Sequence, residues 1–169
     1  VSSEVVMFQK EHVKTDKLLA LVVDDQKTIC QTLCGVLQDE GWETIAALSG
    51  KEGVKLFRRY CPDIVFLDVW MKEIDGIEVL QRMCAINNFV PIVIMSGHAT
   101  IETAVKATKL GACEFLEKPL SIEKILPLLE HAKRCKEGKK RSPIEVENEN
   151  YQLIGESDAI AVIHRQIKV

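Results

Sequence analysis

Short apolar runs alternate along this chain with stretches in which apolar residues recur at helical spacing. Residues 18–23 are apolar without a break, which is typical of a strand buried on both faces of a sheet. We predict four more strands, at 43–48, 63–68, 90–95 and 112–116. Each predicted strand is followed by a predicted helix, so that five strands and five helices alternate.

The predicted helices are marked by apolar faces and by the residues that end or begin them. Gly41 ends the first helix and Pro62 the second, and the third and fourth cover 76–87 and about 100–110. Ser121 is the predicted N-cap of the last helix. Pro127 should kink that helix or delay its start, because proline cannot donate a hydrogen bond to an earlier carbonyl. The residues of the last helix expected to face inward are Ile122, Ile125, Leu126 and Leu129.

The regular alternation of strands and helices, joined by short loops, indicates an α/β fold. In such folds the strands form a parallel sheet, and right-handed crossovers place helices on both of its faces. We therefore predict a doubly wound, five-stranded parallel sheet. The 169 residues are enough for one such domain with a proper core, plus appendages.

Composition and charge indicate the class of protein, its cellular location and which partners it does not bind. With 47% hydrophobic and 28% charged residues, the chain has the composition of a soluble globular protein. No apolar stretch reaches membrane-spanning length and the first residues lack the regions of a signal peptide, so we expect a cytoplasmic protein without a membrane partner. The formal net charge of -3 predicts no broad basic face and therefore no direct binding of nucleic acid.

Six cysteines occur without a C-x-x-C pair and without a histidine at zinc-ligand spacing. A secreted disulfide framework would need a smaller, loop-rich chain. We therefore expect reduced, semi-buried thiols at Cys30, Cys34, Cys61, Cys84, Cys113 and Cys135.

Polar residues stand at the ends of four predicted strands. Asp24 and Asp25 follow the first strand, and Asp68 ends the third. Ser96 follows the fourth strand and Lys118 the fifth. Because the carboxyl ends of parallel strands share one edge, we expect these five residues to meet in one crevice. Adjacent aspartates alone are often only turn residues, so the inference depends on the whole set.

The chemistry of the five residues indicates a site for a metal ion and a phosphoryl group. Three carboxylates raise one another's pKa unless a hard cation lies among them, and ligation by oxygen alone favours Mg2+ over zinc. Lys118 adds a cation that attracts a phosphoryl group. An aspartate in this position can act as a nucleophile, which makes Asp68 a candidate for covalent chemistry.

Four segments resemble, in order and in spacing, the motifs of the receiver domain of two-component response regulators. They are Val22-Val23-Asp24-Asp25, Val65-Phe66-Leu67-Asp68-Val69, Ile94-Met95-Ser96-Gly97 and Phe115-Leu116-Glu117-Lys118-Pro119. The resemblance covers residues 18–136 and implies a flavodoxin-like strand order of 2-1-3-4-5. It also implies that Asp68 is the phospho-acceptor, that Asp24 and Asp25 hold Mg2+, and that the backbone carbonyl of Trp70 completes the metal shell.

The same resemblance implies roles for the residues around the acceptor. Ser96 would bind a phosphoryl oxygen, Lys118 would join Asp68 to the phosphoryl group, and Phe115 would change rotamer when Ser96 moves. Four more residues would flank the site, by leaving room for the phosphoryl group, by altering the access of water or by fixing the lysine loop through a peptide that is often cis in the family: Gly97, Trp70, His98 and Pro119.

The resemblance also implies partners. A sensor histidine kinase would supply the phosphoryl group, and phosphorylation would change a face formed by the fourth helix, the fifth strand and the fifth helix, through which a homodimer would form. Water would slowly remove the phosphoryl group, so we expect a switch and not an enzyme with a turnover substrate.

The remaining parts of the chain are predicted from composition and one short motif. We expect residues 1–17 to be a leader or tag and 137–150 a charged linker. Residues 151–160 resemble the opening of the AAA+ ATPase module of sigma-54-dependent activators, in the NtrC and NtrX branch. Residues 151–169 would then be the truncated start of that module, and the Walker A motif is not among them.

Two other functions use a similar fold or nucleophile. A Mg2+-dependent phosphatase with an aspartyl nucleophile needs a second acid two residues after it, but Trp70 stands there. A flavodoxin-like FMN-binding protein needs a phosphate-binding loop after the first strand, where this chain has Asp24 and Asp25.

Overall fold

The computed structural model describes residues 17–140, with the side chains of 17–138. Five strands alternate with five helices over this range. Their bounds are β1 Leu19–Val23, α1 Lys27–Asp39, β2 Glu43–Ala47, α2 Gly50–Tyr60, β3 Ile64–Asp68, α3 Gly76–Ile86, β4 Ile92–Ser96, α4 Ile101–Lys109, β5 Glu114–Glu117 and α5 Ile122–Lys140. The expected leader lies outside the described residues apart from Lys17, and so do the linker after Lys140 and the AAA+ segment.

The strands form one parallel sheet in the order β2-β1-β3-β4-β5. This confirms the predicted doubly wound α/β fold and the strand order that the resemblance implied. The central strands β3 and β4 are buried along their whole length, which explains why their sequences are apolar on both faces. The parallel arrangement brings the carboxyl ends of all five strands to one edge of the sheet.

A hydrophobic core lies on each face of the sheet. On one face, α2, α3 and α4 contribute Phe57, Leu80 and Ala107. On the other face, α1 contributes Leu37 and α5 contributes Leu129. Ala107 is the only fully buried residue of α4, so that helix is held by less apolar burial than its neighbours.

The inward face of α5 differs from the prediction. Ile125 and Leu129 are buried as expected, but Ile122 is 41% exposed and Leu126 is 37% exposed. The buried stripe continues instead to Ala132, so the helix is rotated relative to the face that the apolar residues suggested. The prediction of Ile122 and Leu126 as inward residues was therefore wrong.

Pro127 lies inside α5 without delaying its start. The helix begins at Ile122, and the backbone carbonyl of Ser121 accepts from the amides of Lys124 and Ile125. Because Glu123 is exposed, water can bind the carbonyl that Pro127 leaves without a donor. The helix also continues through residues 137–140, the first part of the expected linker.

Asp63 connects both ends of the described domain at the amino edge of the sheet. Its Oδ2 atom accepts a hydrogen bond of 2.8 Å from the amide of Leu19, at the start of β1. The same oxygen accepts from Nζ of Lys136, in the last turns of α5, at 2.9 Å. One carboxylate therefore holds the first strand and the last helix together, at the edge opposite to the carboxyl ends of the strands.

All six cysteines are free thiols, but they are not uniformly semi-buried. Cys30 is buried, whereas Cys61 and Cys113 are exposed. Within residues 17–140, no helix combines the length and the apolar character needed to cross a membrane.

Candidate functional site

Three aspartates meet at the carboxyl edge of the sheet. Asp24 and Asp25 directly follow β1, and Asp68 is the last residue of β3, which pairs with β1. One carboxylate oxygen from each residue lies within 4.8 Å of the other two. Asp24 and Asp68 are buried and Asp25 is half-buried. In the described part of the chain, this is the only group of histidine, cysteine or acidic side chains arranged to hold a metal ion.

The donor set fits a hard divalent cation. All three ligand atoms are carboxylate oxygens, which Mg2+ prefers, and no sulfur or imidazole belongs to the cluster. Carboxylates this close repel one another when ionised, so an added cation would relieve the repulsion. The cluster therefore suits Mg2+ both in ligand type and in charge.

Lys118 links two of the three carboxylates. Its Nζ atom donates to Oδ2 of Asp24 at 2.5 Å and to Oδ1 of Asp68 at 3.0 Å. The lysine side chain is only 15% exposed. Burial alone would lower the pKa of Lys118, but its hydrogen bonds to Asp24 and Asp68 outweigh that effect and the pKa is raised. The ammonium therefore stays charged at neutral pH.

Asp68 is more basic than an ordinary aspartate. Burial raises its pKa most, and the negative charge of Asp24 raises it further. The hydrogen bond from Lys118 acts in the opposite direction without cancelling the increase. A carboxylate in this state gains from a nearby cation, which offsets the cost of its buried charge.

Asp24 is held at every polar atom. Its amide donates to the carbonyl of Ala47 at 3.1 Å, and its Oδ1 atom accepts from the amide of Gln26 at 2.9 Å. Its own carbonyl accepts from the thiol of Cys30, with Sγ at 3.4 Å. With Lys118 on Oδ2, two contacts hold the carboxylate of Asp24 and two hold its backbone.

Cys30 is a supporting residue that the sequence did not reveal. Burial raises the pKa of its thiol to about 12, with a smaller contribution from the charge of Asp24, so the thiol keeps its proton and can donate it. Sequence periodicity places Cys30 on the buried face of α1, but that pattern is the same for an ordinary core residue. Only the backbone geometry shows that the thiol reaches the Asp24 carbonyl.

Ser96, the last residue of β4, is buried at the same edge. Its hydroxyl donates to the carbonyl of His98 at 3.0 Å and accepts from the amide of His98 at 3.1 Å. Its carbonyl accepts from the amide of Lys118 at 2.8 Å, which joins the ends of β4 and β5. The Ser96 hydroxyl is therefore hydrogen-bonded to both backbone groups of His98, within the loop that follows β4.

The predicted flanking residues have different environments. Trp70 is 62% exposed, and Gly97, His98 and Pro119 are exposed as well. The peptide between Lys118 and Pro119 is cis. Phe115 is half-buried and packs against the core on the face that carries α4. The structure thus places Trp70, Gly97 and His98 at the solvent side of the edge, and Phe115 partly inside.

Gly76, the first residue of α3, packs directly on the backbone of Asp68. Its amide donates to the carbonyl of Val69 at 2.9 Å. A Cβ atom at this position would lie 2.2 Å from the Asp68 carbonyl oxygen and 2.6 Å from Cα of Val69. Only glycine allows the start of α3 to approach the end of β3 so closely. The sequence pattern placed residue 76 at the start of the third helix but gave no sign of this contact.

A family model and two curated relatives each match more than half of this chain. The family model described as Response regulator receiver domain matches residues 20–130. A putative response regulator NtrX-like protein of Rickettsia bellii (strain RML369-C) is 34% identical over 143 residues, which is 81% of this chain and 30% of that relative. The transcriptional regulatory protein ZraR of Escherichia coli (strain K12) is 38% identical over 117 residues, or 69% of this chain and 26% of ZraR. The chain thus spans less than a third of the length of these relatives.

Solved structures show the same similarity. The receiver domain of NtrX from Brucella abortus is 36% identical, with a TM-score of 0.64, over 68% of this chain and 98% of that one. A CheY-like receiver domain protein from Methanospirillum hungatei JF-1 is 21% identical, with a TM-score of 0.67, over 75% of this chain and 99% of that one. The second similarity concerns the fold alone.

Proposed function

Because this chain belongs to the response regulator receiver domain family, we propose that it is a signalling switch in which Asp68 accepts a phosphoryl group. The resemblance seen in the sequence is thereby confirmed at the level of the family. The observation that best supports the proposal is the cluster of Asp24, Asp25 and Asp68 with Lys118 bonded to two of its members.

The proposed donor is a phosphohistidine of a sensor histidine kinase. An oxygen of the Asp68 carboxylate forms the new bond to phosphorus while the bond from phosphorus to the histidine nitrogen breaks. Lys118 is close enough to Asp68 to neutralise charge on the transferred group, and its raised pKa supports that role. The product is an acyl phosphate on Asp68 and a free histidine on the kinase.

The three aspartates would hold Mg2+, with the backbone carbonyl of Trp70 as a further ligand. When bound, Mg2+ would supply charge neutralisation for the phosphoryl oxygens. Asp24 is the best-fixed ligand, because all its polar atoms have partners, whereas the half-buried Asp25 lies nearer to solvent. Cys30 would support metal binding indirectly by holding the Asp24 loop.

The proposed switch begins with Ser96. Its hydroxyl would leave the turn with His98 to bond a phosphoryl oxygen, which frees the loop before α4. The half-buried Phe115 would then move further inward. Because α4 buries little apolar surface, a coupling free energy of about 1–3 kcal/mol between phosphorylation and the position of α4 would be enough to change the face formed by α4, β5 and α5. A homodimer would form through this face.

The output would come from an attached sigma-54-dependent activator, the class whose ATPase module residues 151–160 resemble; the relative ZraR is named a transcriptional regulatory protein. In this proposal residues 18–136 are the receiver domain, 137–150 a linker and 151–169 the start of an AAA+ module. The chain would act in the cytoplasm and would not itself bind nucleic acid. Slow loss of the phosphoryl group to water would reset the switch.

The direct test is phosphorylation by a small donor. With acetyl phosphate and Mg2+, intact-mass measurement should show one added phosphoryl group on the wild-type chain. The Asp68→Asn variant should show none, and Asp39→Asn, which makes the same change at an exposed residue of α1, should be labelled like the wild type. Labelling of Asp68→Asn at the wild-type level would place the acceptor elsewhere and contradict the proposal.

A further inference from the structure

The outer face of α2 carries a cluster of exposed positive charges, which we call the α2 basic face. Its members lie within about 100° of arc when α2 is viewed along its axis, since residues three and four apart are neighbours on a helix. Together with the half-buried Val54 they line a shallow groove of about 270 Å3. The four cationic residues are Lys51, Lys55, Arg58 and Arg59.

These charges are not balanced by neighbouring acids. Among the described residues, none of the four forms an ion pair. The guanidinium of Arg59 lies over the ring of Tyr60, 5.4 Å from its centre. Glu52 is the only acidic residue of α2, and its Oε2 atom accepts a hydrogen bond from the amide of Leu48 at the start of the helix. The α2 basic face is therefore available to an acidic partner.

The stability of α2 does not explain this arrangement. Arg58 and Arg59 are in the last turn, where the helix dipole favours positive charge. Lys51, however, lies in the first turn, where the dipole opposes positive charge. In addition, Lys55 is four residues from both Lys51 and Arg59, and like charges at that spacing destabilise a helix. Local rules that are broken in this way are expected at functional surfaces.

We propose that the α2 basic face is a docking surface for a partner protein that presents a helix bearing carboxylates. The cations extend over nine residues of one helix, a rise of about 12 Å, which matches about two turns of a partner helix. Arginine beside tyrosine, with an apolar residue in the groove, is a composition typical of protein interfaces. Nucleic acid fits less well, because the chain carries a net charge of -3.

The buried side of α2, opposite the α2 basic face, packs near the loop that follows Asp68. A Cβ atom on Gly50, the first residue of α2, would lie 3.4 Å from Met71 and 3.6 Å from Ile74. Both of these residues belong to the loop between Asp68 and α3. A partner on the α2 basic face would therefore be separated from this loop by the body of α2.

The proposal can be tested with a synthetic helical peptide whose glutamates are spaced three and four residues apart. Titrated into the 15N-labelled full chain at about 0.01 M ionic strength, it should shift the amide signals of 50–60 and have little effect at about 0.15 M, where charges are screened. Lys55→Gln should weaken binding several-fold. Lys109→Gln, the same change at an exposed lysine of α4, should not.

Three results would overturn the proposal. The first is no change in the signals of 50–60 at a millimolar peptide concentration. The second is equal binding by Lys55→Gln and the wild type. The third is tighter binding of duplex oligonucleotide, or of vesicles containing phosphatidylserine, at the same residues, because the partner class would then be wrong.

A measurement of stability tests the charge argument separately. Lys55→Gln removes the two like-charge pairs with Lys51 and Arg59, while the pairs three residues away, one with Arg58 and one with Glu52, are of opposite sign and offset each other. Because glutamine has a similar helix propensity, the variant should shift the unfolding equilibrium toward the folded state by roughly two- to five-fold. Urea unfolding of the full chain measures this shift. A variant that is less stable than the wild type would refute the reasoning that the cations are retained at a cost to the helix.

Discussion

Replacing Gly76 by alanine should displace Asp68, because Gly76 packs on the backbone of that residue. The new Cβ would start 2.2 Å from the Asp68 carbonyl oxygen and 2.6 Å from Cα of Val69, whereas real Cβ contacts essentially never fall under 3.0 Å. Both neighbours are backbone atoms, so neither can rotate away. The end of β3 and the start of α3 must therefore separate by about 1 Å, and a displacement of that size at a reacting group costs about 100-fold in rate.

The same change should cost stability. Overpacking of a tight contact costs about 1–3 kcal/mol, while alanine in place of glycine at an unhindered helix position gains about 0.5–1 kcal/mol. Gly35→Ala in α1 is the matched control, because an added Cβ there would have no described atom within 4 Å. It should be slightly more stable than the wild type and equally reactive.

The assay combines two measurements on the three proteins. The rate of labelling by acetyl phosphate at saturating Mg2+ reports the position of Asp68, and urea unfolding reports the packing cost. Gly76→Ala should have a lower labelling rate and a lower free energy of unfolding than the wild type, whereas Gly35→Ala should show neither decrease. If Gly76→Ala were labelled at the wild-type rate with unchanged stability, the contact between α3 and the backbone of Asp68 would have no functional role.

Three further predictions concern the charges and the thiols of the site. Because the pKa of Asp68 is raised in the folded state, the free energy of unfolding should fall as the pH rises through that raised pKa. Asp68→Asn should remove this pH dependence, which urea unfolding in EDTA at several pH values would measure. A variant with the same pH profile as the wild type would contradict the prediction. Lys118→Met should bind Mg2+ about tenfold more tightly or better, because the ammonium competes with a metal ion for oxygens of Asp24 and Asp68; calorimetry would measure this, and weaker binding would refute it. Cys30 should resist alkylation at neutral pH while the exposed Cys61 reacts, and mass mapping that found Cys30 labelled in the folded protein would disagree.

Much of the fold could be predicted because its strands are buried on both faces. The run that ends at Asp68 is apolar throughout, and the predicted strand differs from the observed β3 by one residue. Once the strands are taken as parallel, the meeting of Asp24, Asp68 and Lys118 at one edge follows from the topology. No knowledge of side-chain conformations is needed for that step.

The inward face of α5 and the contacts that hold the site residues in place could not be predicted from the sequence. The apolar residues of α5 are compatible with two overlapping stripes, and packing of Ala132 against the sheet decides between them, which leaves Ile122 exposed. The thiol of Cys30 reaches the Asp24 carbonyl, and Gly76 approaches Asp68, only because of how particular backbone segments lie. Such contacts depend on distances of a few ångströms, which periodicity does not specify.

The bond network of Asp63 has a consequence for how this domain can be used in evolution. It fastens the first strand and the last helix to each other at the edge of the sheet opposite to Asp24, Asp68 and Lys118. A domain anchored in this way can be joined to new neighbours at that end while the reactive edge keeps its geometry. Recombination could then pair one receiver domain with many different neighbouring domains.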